Sequence, residues 1–509
     1  MARTLTKTTR GRKPKATKSP ATVRPAPAGS GAAPWKVGKD EVGIRVRMYR
    51  VGFGDFFLLT FLDEAASPQH VIIDCGVFKG TSQTGDIKSI EAAVADMVQT
   101  TGGDVALIVM THRHADHIAG FARCADVFRT LTVGGVWMPI WENEYDPAAA
   151  KFQAQLTRTA LGLRQHLAAF GARESEEQAT ARKYMENATG ELGAAAAGSN
   201  AKALDLLKHG FQGVEPGYYK AGDKGKLPKA LTDAGLSAQI LGPPPIADLD
   251  LMKLMDLQKT VGQYLADEGV EDADDVAPFA SEWEAKKEAV NPNAFREWLA
   301  QRIGFKEVGK DAGDKARRRM EKTLKESGPI AALTAAKQLN AFLNNQSLVI
   351  LFTFKGRKLL FVGDAQAGNW EHWLFDTDTP DKKASGTMSP VARQILTSLN
   401  FYKVGHHGSG NATPKIAAET MVDHRFASMC STEAGVYGTE DPDDPTKGTE
   451  VPRGPLLDKL ETKSALVRSD QIPITVAGAT IPATVPAKLP AALPDSRFVS
   501  GPLWIDCYL

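Results

Sequence analysis

A cluster of potential metal ligands at residues 111–120 is the strongest chemical signal in the sequence. The segment reads Thr-His-Arg-His-Ala-Asp-His-Ile-Ala-Gly, which places His112, His114, Asp116 and His117 within six positions. The whole chain contains ten histidines, and three of them lie here. Imidazole nitrogens and carboxylate oxygens are the ligands that zinc and similar ions take in catalytic sites. The segment therefore predicts a metal site.

The elements around this segment are predicted to present its side chains together. An apolar run from Val105 to Met110 is typical of a buried strand and leads directly into the histidines. His112 and His114 are two residues apart, so they would point the same way if strand geometry continued. Residues 118–127 are predicted to form a helix. The cluster is expected where a buried strand meets that helix.

Five further motifs follow a common pattern, in which polar residues lie beside an apolar strand. They are Arg50-Val-Gly-Phe-Gly-Asp55, Val71-Ile-Ile-Asp74-Cys-Gly76, Asn344-Asn-Gln-Ser347, Leu359-Leu-Phe-Val-Gly-Asp364 and Phe401-Tyr-Lys-Val-Gly-His406-His407-Gly-Ser409. With the histidine cluster, they resemble the metallo-β-lactamase fold signature. In their order they are most similar to the hydrolase domain of the DNA-uptake protein ComEC. The resemblance covers residues 43–142, 236–246 and 341–470.

The resemblance implies an α/β fold, a metallo-β-lactamase-like αββα sandwich with two helical insertions that form a cap. The predicted parts are a disordered basic tail (1–40), core segments (41–142, 236–246 and 341–470), helical insertions (143–235 and 247–340) and a C-terminal extension (471–509). Insertions at these loops would lie above the site and shape access to it.

The resemblance also implies a site for two divalent metal ions, with zinc favoured. His112 and His114 would bind the first ion, Asp116 and His117 the second, and Asp364 would bridge them. We expect His406 to complete the second site, because it directly follows the strand and Gly405. His407 would then face the substrate as a hydrogen-bond donor or general acid, and Asp116 would also orient the nucleophile.

Asp55 and Asp74 are expected to lie behind the ligands rather than on a metal. Carboxylates there can hold a ligand histidine in its tautomer through a hydrogen bond. The alternative for Asp55 is a turn residue after Gly54.

One departure from the pattern concerns the first metal. Most hydrolases of this fold place another histidine between the Asp-His pair and the bridging Asp. Here that interval contains His166 and His209, and both lie in segments predicted to be ordinary helix. Glu142, Asn143 or water could fill the gap. An oxygen-richer site would favour manganese or magnesium over zinc.

Composition indicates a soluble protein with an uneven charge distribution. No apolar stretch is long enough to span a bilayer, and the four scattered cysteines suggest reduced thiols in the cytoplasm. Residues 1–39 contain ten basic residues and no acidic one, whereas the chain as a whole has a formal charge of +1. Such an arm is typical of nucleic-acid binding, or alternatively serves only as a solubilising tail.

Three functions remain open from the sequence. The first is a metal-dependent phosphodiesterase or nuclease that uses a metal-bridging hydroxide. The second is a hydrolase of a small ester, lactone or phosphocholine-type substrate. The third is a metal-binding interaction subunit with little catalysis, acting with a protein partner or as an oligomer. No competing Gly-x-Ser-x-Gly or phosphate-loop motif is present.

Overall fold

The computed structural model describes residues 42–78, 83, 85–168, 199–245, 340–375, 387–438, 440, 443, 448–476, 479–481, 483 and 492–509. The predicted tail (1–40) and the second predicted insertion (247–340), apart from residue 340, lie outside these ranges. No helix within them has the length and hydropathy needed to cross a membrane. The described part of the chain has a mixed α/β architecture.

Two large mixed sheets contain most of the strands. In chain order the strands are β1 (Ile44–Tyr49), β2 (Phe56–Leu62), β3 (Pro68–Cys75), β4 (Asp104–Val105), β5 (Leu107–Val109), β6 (Thr132–Val133), β7 (Val136–Pro139), β8 (Gly217–Tyr219), β9 (Leu236–Gly242), β10 (Val349–Phe354), β11 (Arg357–Phe361), β12 (Phe401–Lys403), β13 (Phe426–Cys430), β14 (Ser464–Arg468), β15 (Ile474–Val476), β16 (Ala479–Ile481), β17 (Phe498–Ser500) and β18 (Trp504–Tyr508).

Each large sheet combines an antiparallel part with a parallel part. The first sheet has the order β17-β18-β1-β2-β3-β5-β7-β8, and its strands are parallel from β3 to β8. The second has the order β14-β13-β12-β11-β10-β9, and its strands are parallel from β11 to β14. Within each parallel part, the loops that follow the carboxyl ends of the strands meet at one edge.

The two sheets pack face to face, with helices on their outer faces. The helices are α1 (Ile90–Thr101), α2 (Ala115–Arg123), α3 (Ala125–Phe128), α4 (Pro147–Ala168), α5 (Ser199–His209), α6 (Lys229–Asp233), α7 (Ala367–Leu374), α8 (Pro390–Thr397), α9 (Lys415–Thr420) and α10 (Gly454–Lys463). One apolar cluster joins the sheets, where the Phe57 and Phe361 rings lie 5.9 Å apart. A second cluster joins the first sheet to α1, α2 and α5, and a third joins the second sheet to α7–α10.

Helix α1 shows how the sequence specifies an outer-layer helix. The Ser89 hydroxyl accepts a hydrogen bond from the Ala92 backbone nitrogen and so caps the first turn. Gly102, with a φ of 64°, ends the helix in the left-handed conformation that glycine adopts readily. Its buried residues, among them Ile90, Val94 and Met97, follow helical spacing and face the first sheet.

The structure contains most of the predicted strands but revises two segments. The predicted strand Val105–Met110 is two strands, β4 and β5. Residues 143–235 were predicted to be mostly helical, yet β8 pairs with β7 at the edge of the first sheet. In the predicted C-terminal extension, residues 502–509 were expected to add a final strand; they contain β18, which pairs with β1 inside that sheet and with β17. The segment 143–235 and the C-terminus therefore both belong to the sheet framework.

A buried ion pair fixes the C-terminal strand to the first strand. Arg47 donates to both carboxylate oxygens of Asp506, at 2.7 and 2.8 Å, and also to Asp96 on α1. The Asp506 side chain is fully buried. Removing one member of such a pair leaves an uncompensated charge in the interior.

We expect Asp506→Asn to lower the free energy of unfolding by about 3 kcal/mol, since Arg47 keeps its charge but loses its main partner. Urea denaturation followed by circular dichroism measures the change. Asp126→Asn is the control, because Asp126 pairs with Arg129 on the exposed surface, and it should leave the stability unchanged. Equal stability of the two variants would contradict a structural role for this pair.

Candidate metal centre

The predicted ligand residues converge where parallel strands of the two sheets end. Residues 111–117 follow β5 in the first sheet, Asp364 follows β11, and His406 and His407 follow β12. A hydrogen bond from the Leu348 nitrogen to the Thr111 carbonyl (3.0 Å) joins the two sheets, and the Lys403 ammonium donates to the Gly363 carbonyl (3.1 Å) within the second sheet. The site is thus built from strand-end loops of both sheets.

A first group of potential ligands consists of His112, His114 and Asp364, all of them buried. His112 Nε2 lies 3.8 Å from Asp364 Oδ2, and the two imidazole rings are 4.6 Å apart. One nitrogen or oxygen from each residue lies within 4.8 Å of the others. That spacing suits one metal ion shared by all three.

A second group shares Asp364 and adds Asp116, His117 and His407. Asp364 Oδ2 lies 3.0 Å from His117 Nε2 and 3.8 Å from His407 Nε2. His407 Nε2 is 3.2 Å from Asp116 Oδ2. The four side chains surround a space into which each offers a nitrogen or an oxygen.

His406 and His407 differ in burial, although their Nε2 atoms lie at nearly equal distances from Asp364. His407 is fully buried and belongs to the second group, whereas the His406 side chain is 21% exposed and lies 3.9 Å from Asp364. Both residues have positive φ, 45° for His406 and 53° for His407. Two consecutive left-handed residues change which side chain points inward, and chain order alone does not indicate this.

Asp74 lies behind the second group, in the position expected for a carboxylate that orients a ligand. Its Oδ2 is 2.7 Å from His117 Nδ1, which leaves Nε2 directed at Asp364. The Thr111 nitrogen and hydroxyl donate to the two oxygens of Asp74, at 2.7 and 2.6 Å. Asp74 thereby fixes the ring orientation of His117.

Asp55 approaches the same group but is committed to a lysine. It forms a buried ion pair with Lys403 and lies 3.7 Å from His117 Nδ1 and 3.6 Å from His407 Nδ1. The His407 Nδ1 hydrogen bond goes to the Ser431 carbonyl at 2.8 Å. Asp55 is therefore not only a turn residue, because its carboxylate pairs with Lys403 and lies near both histidines.

Lys403 is a site residue that the sequence analysis missed. It is the last residue of β12, is 2% exposed, and lies 3.8 Å from Asp364 Oδ1. Burial alone would lower the pKa of Lys403, but Asp55 and Asp364 outweigh it and raise that pKa. A buried cation among three carboxylates offsets their mutual repulsion. The only available signal was a charged residue at the end of an apolar strand.

Glu142 does not fill the gap in the first group. Its carboxylate accepts two hydrogen bonds from Arg113, at 2.7 and 2.6 Å, and both residues are buried. Asn143 Oδ1 accepts from the Tyr145 backbone nitrogen. His209 is 53% exposed and lies near Glu144, on the surface of α5. The backbone of His166 lies in α4, and its side chain lies outside the described atoms.

The electrostatics of the first group favour neutral imidazoles. Burial, reinforced by the neighbouring histidines His117 and His114, lowers the pKa of His112 well below its ordinary value. Burial likewise lowers the pKa of His114 to about 4. Neutral imidazole is the form that binds a metal ion, so no proton has to leave at neutral pH.

The second group is strongly coupled through Asp364. Burial would raise the pKa of Asp364, but the charges of His117, His406 and His407 hold it well below its ordinary value. Burial would lower the pKa of His117, yet Asp364, Asp74 and Asp55 raise it well above normal. Protonated His117 therefore forms an ion pair with Asp364. A divalent ion would supply that charge and displace the proton.

Unpaired buried atoms test whether these residues fit a metal ion. His112 Nε2, His114 Nε2 and both oxygens of Asp364 have less than 1 Å² of exposed area each and no hydrogen-bond partner in the described ranges. His117 Nε2 also has none, because its 3.0 Å contact with Asp364 lacks hydrogen-bond alignment. Buried polar atoms in proteins are nearly always hydrogen-bonded. Their convergence fits residues that hold a metal ion.

Comparison with known proteins adds no assignment. No protein-family model matches the chain, and no curated protein shows significant similarity to it. The interpretation of the site therefore depends on its own geometry.

Gly76 allows the ligand loop to approach β3, which makes it a sensitive test of the site. A Cβ at this position would lie 2.0 Å from the Asp116 carbonyl carbon and 2.1 Å from the His117 nitrogen. We expect Gly76→Ala to lower stability by about 1–3 kcal/mol and to weaken binding of divalent ions, because the loop must move. Thermal unfolding and metal titration measure the two effects.

Gly454→Ala provides the matched control, since its Cβ would meet no atom closer than 3.5 Å. If Gly76→Ala retained wild-type metal affinity, the close approach of this loop would be irrelevant to the site.

Proposed function

We propose that this protein is a divalent-metal-dependent hydrolase of the metallo-β-lactamase fold, acting on phosphodiesters. The observation that carries the proposal is the set of buried, unpaired nitrogens and oxygens of His112, His114, His117 and Asp364. None of these atoms has an aligned hydrogen bond within the described residues, although His117 Nε2 and Asp364 Oδ2 form an ion pair at 3.0 Å. The atoms converge on a common space, as they would around bound ions.

The arrangement of layers supports the fold part of this proposal. Two mixed sheets pack against each other with helices outside, and ligand-bearing loops from both sheets meet at strand ends. The resemblance of the six sequence motifs predicts the same arrangement. On this basis, His112, His114 and Asp364 would hold one ion, and Asp116, His117, His407 and Asp364 would hold another.

Bound divalent ions would lower the pKa of water and polarise a phosphoryl or carbonyl oxygen. The oxygen-rich environment of Asp364 and Asp116 suits manganese or magnesium as well as zinc. Asp74 holds His117 Nδ1, and the Ser431 carbonyl accepts from His407 Nδ1, so both Nε2 atoms remain directed into the site. We therefore assign His407, rather than His406, as the ligand.

Exposure identifies the residues that would meet a substrate, and one of them, Asp116, also belongs to the second ligand group. Asp116 is 16% exposed and His406 is 21% exposed, whereas His112, His117, His407 and Asp364 are at most 1% exposed. The Asp116 carboxylate can accept a proton from an attacking water. His406, with Nδ1 3.2 Å from Asn411 Oδ1, would lie beside a bound substrate. The expected substrate-facing role of His407 thus passes to His406.

The charge distribution supports a nucleic-acid substrate. The ten basic residues within 1–39 carry more positive charge than the whole chain, so the remainder is acidic. A cationic arm would bring a phosphate backbone to a body that otherwise repels it.

We expect the protein, reconstituted with zinc or manganese, to hydrolyse bis(4-nitrophenyl) phosphate. Asp364→Asn should lower this rate at least about 100-fold and lower the bound metal in parallel, because the carboxylate serves both ligand groups. Metal content by plasma mass spectrometry and initial rates measure the outcome, with Asp126→Asn as the surface control. A wild-type rate for Asp364→Asn would refute this function.

Removal of residues 1–39 should weaken binding to single- and double-stranded DNA and reduce its salt dependence, because fewer phosphates are neutralised. Hydrolysis of bis(4-nitrophenyl) phosphate should stay unchanged. The control is a tail of equal length in which glutamine replaces the ten basic residues. If DNA affinity and its salt slope were unaffected, the tail would not be a nucleic-acid arm.

A second candidate function is hydrolysis of a small ester or phosphocholine-type substrate. An aromatic cluster favours it: Phe53 lies 4.2 Å from the His407 ring and 5.0 Å from Tyr437, which is 5.1 Å from Phe78. Phe78 and Tyr437 are partly exposed. Such rings can bind a planar or quaternary ammonium group beside the site. Faster turnover of phosphocholine esters than of any nucleic acid would favour this candidate.

A further inference from the structure

The first ligand group lacks one ligand for a four-coordinate ion. His112, His114 and Asp364 provide three side chains. Structural and catalytic sites for zinc usually have four ligands, one of them water in catalytic sites. Glu142 is engaged by Arg113, and Asn143 by its own loop. The missing ligand therefore has to come from another segment or from water.

Asn344 is buried beside His406, with its carbonyl oxygen unpaired. The residue has no exposed surface, and Oδ1 has no hydrogen-bond partner among the described residues. Its Nδ2 lies 3.4 Å from His406 Nε2, which in turn lies 3.9 Å from Asp364 Oδ2. A buried amide oxygen nearly always has a partner, and a bound metal ion is one group that can accept its lone pairs.

The loop that carries Asn344 is fixed to both ligand-bearing loops. Ser347 Oγ accepts from the Asp364 backbone nitrogen at 3.1 Å, and the Leu348 nitrogen donates to the Thr111 carbonyl at 3.0 Å. Asn345 Oδ1, one residue on, accepts from the nitrogens of Gln366 and Asn369. These bonds place the loop between the residue before His112 and the bridging Asp364. Asn345 Oδ1 and Ser347 Oγ accept hydrogen bonds from backbone nitrogens, whereas Asn344 Oδ1 has no hydrogen-bond partner among the described residues.

We propose that Asn344 contributes its amide oxygen to the metal site, as the further ligand that the first group lacks. The inference extends the proposed function, since it requires that the site binds a divalent ion. An amide oxygen is a harder ligand than imidazole, so this ligand shifts preference from zinc toward manganese or magnesium. The same side chain, through Nδ2, fixes the Nε2 face of His406 toward the site.

Metal affinity and selectivity of Asn344 variants test this role without an activity assay. Competition with a chromophoric chelator gives the affinity for zinc and for manganese in the full-length protein. We expect Asn344→Ala to lower manganese affinity about 10- to 100-fold, Asn344→Asp to retain or raise it, and Asn344→His to shift the preference to zinc. Cobalt-substituted protein should show a changed visible spectrum in Asn344→His, because a nitrogen replaces an oxygen.

Asn411→Ala separates a ligand from a residue that only positions His406. Asn411 holds His406 through the opposite ring nitrogen, at 3.2 Å. If Asn344 acts only on His406, which is not assigned as a ligand, Asn344→Ala and Asn411→Ala should show the same metal affinity, and that result would overturn the proposal. Circular dichroism in chelator checks that the variants fold, and Asn344→Asp tests the proposal if Asn344→Ala does not.

The metal-binding measurements distinguish failure of the proposed function from failure of the role of Asn344. A wild-type protein that binds neither zinc nor manganese would refute the proposed function. A wild-type protein that binds them with an affinity and selectivity unchanged in Asn344→Ala would refute only the role of Asn344.

Discussion

The burial of the Asp364 carboxylate is the constraint on which the site depends. An ionised carboxylate in the interior is very costly unless positive charge surrounds it. Asp364 is 1% exposed and lies within 4 Å of His117, His407 and Lys403. Two further carboxylates hold these cations in place. Asp74 contacts His117, and Asp55 forms an ion pair with Lys403. The surrounding network of charged side chains is therefore a consequence of burying the Asp364 carboxylate.

The two-sheet architecture meets this constraint because it brings the ends of parallel strands from both sheets together. The loop after β5 carries three histidines, and the loops after β11 and β12 carry Asp364 and the His406-His407 pair. Hydrogen bonds between these loops, such as Leu348 to Thr111, hold their spacing without relying on a metal ion. The ligands can therefore be preorganised, which lowers the cost of binding an ion.

Several features of this arrangement are visible in the sequence because they depend on local patterns. Apolar runs ending in His, Asp or Gly predict strand ends, and the strands before Asp74 and Asp364 lie where expected. Which of His406 and His407 is buried is not a local property, because both residues have left-handed backbone conformations whose strain only the surrounding structure can support. Lys403 was missed for a similar reason: its burial is stable only because Asp55 arrives from the other sheet. Ion pairs between residues far apart in the sequence produce no periodic pattern from which they could be predicted.

The first predicted insertion contacts the loop that carries His112 and His114 directly, which a separate cap would not do. Asn200, in the first turn of α5, donates to the Arg113 carbonyl at 2.9 Å, between the two histidines of the first group. Glu142, just before α4, holds the Arg113 side chain. β8 extends the same sheet whose β5 leads into the ligand loop. A displacement of this segment would move the backbone between His112 and His114, so changes in the insertion should alter metal affinity even where they touch no ligand.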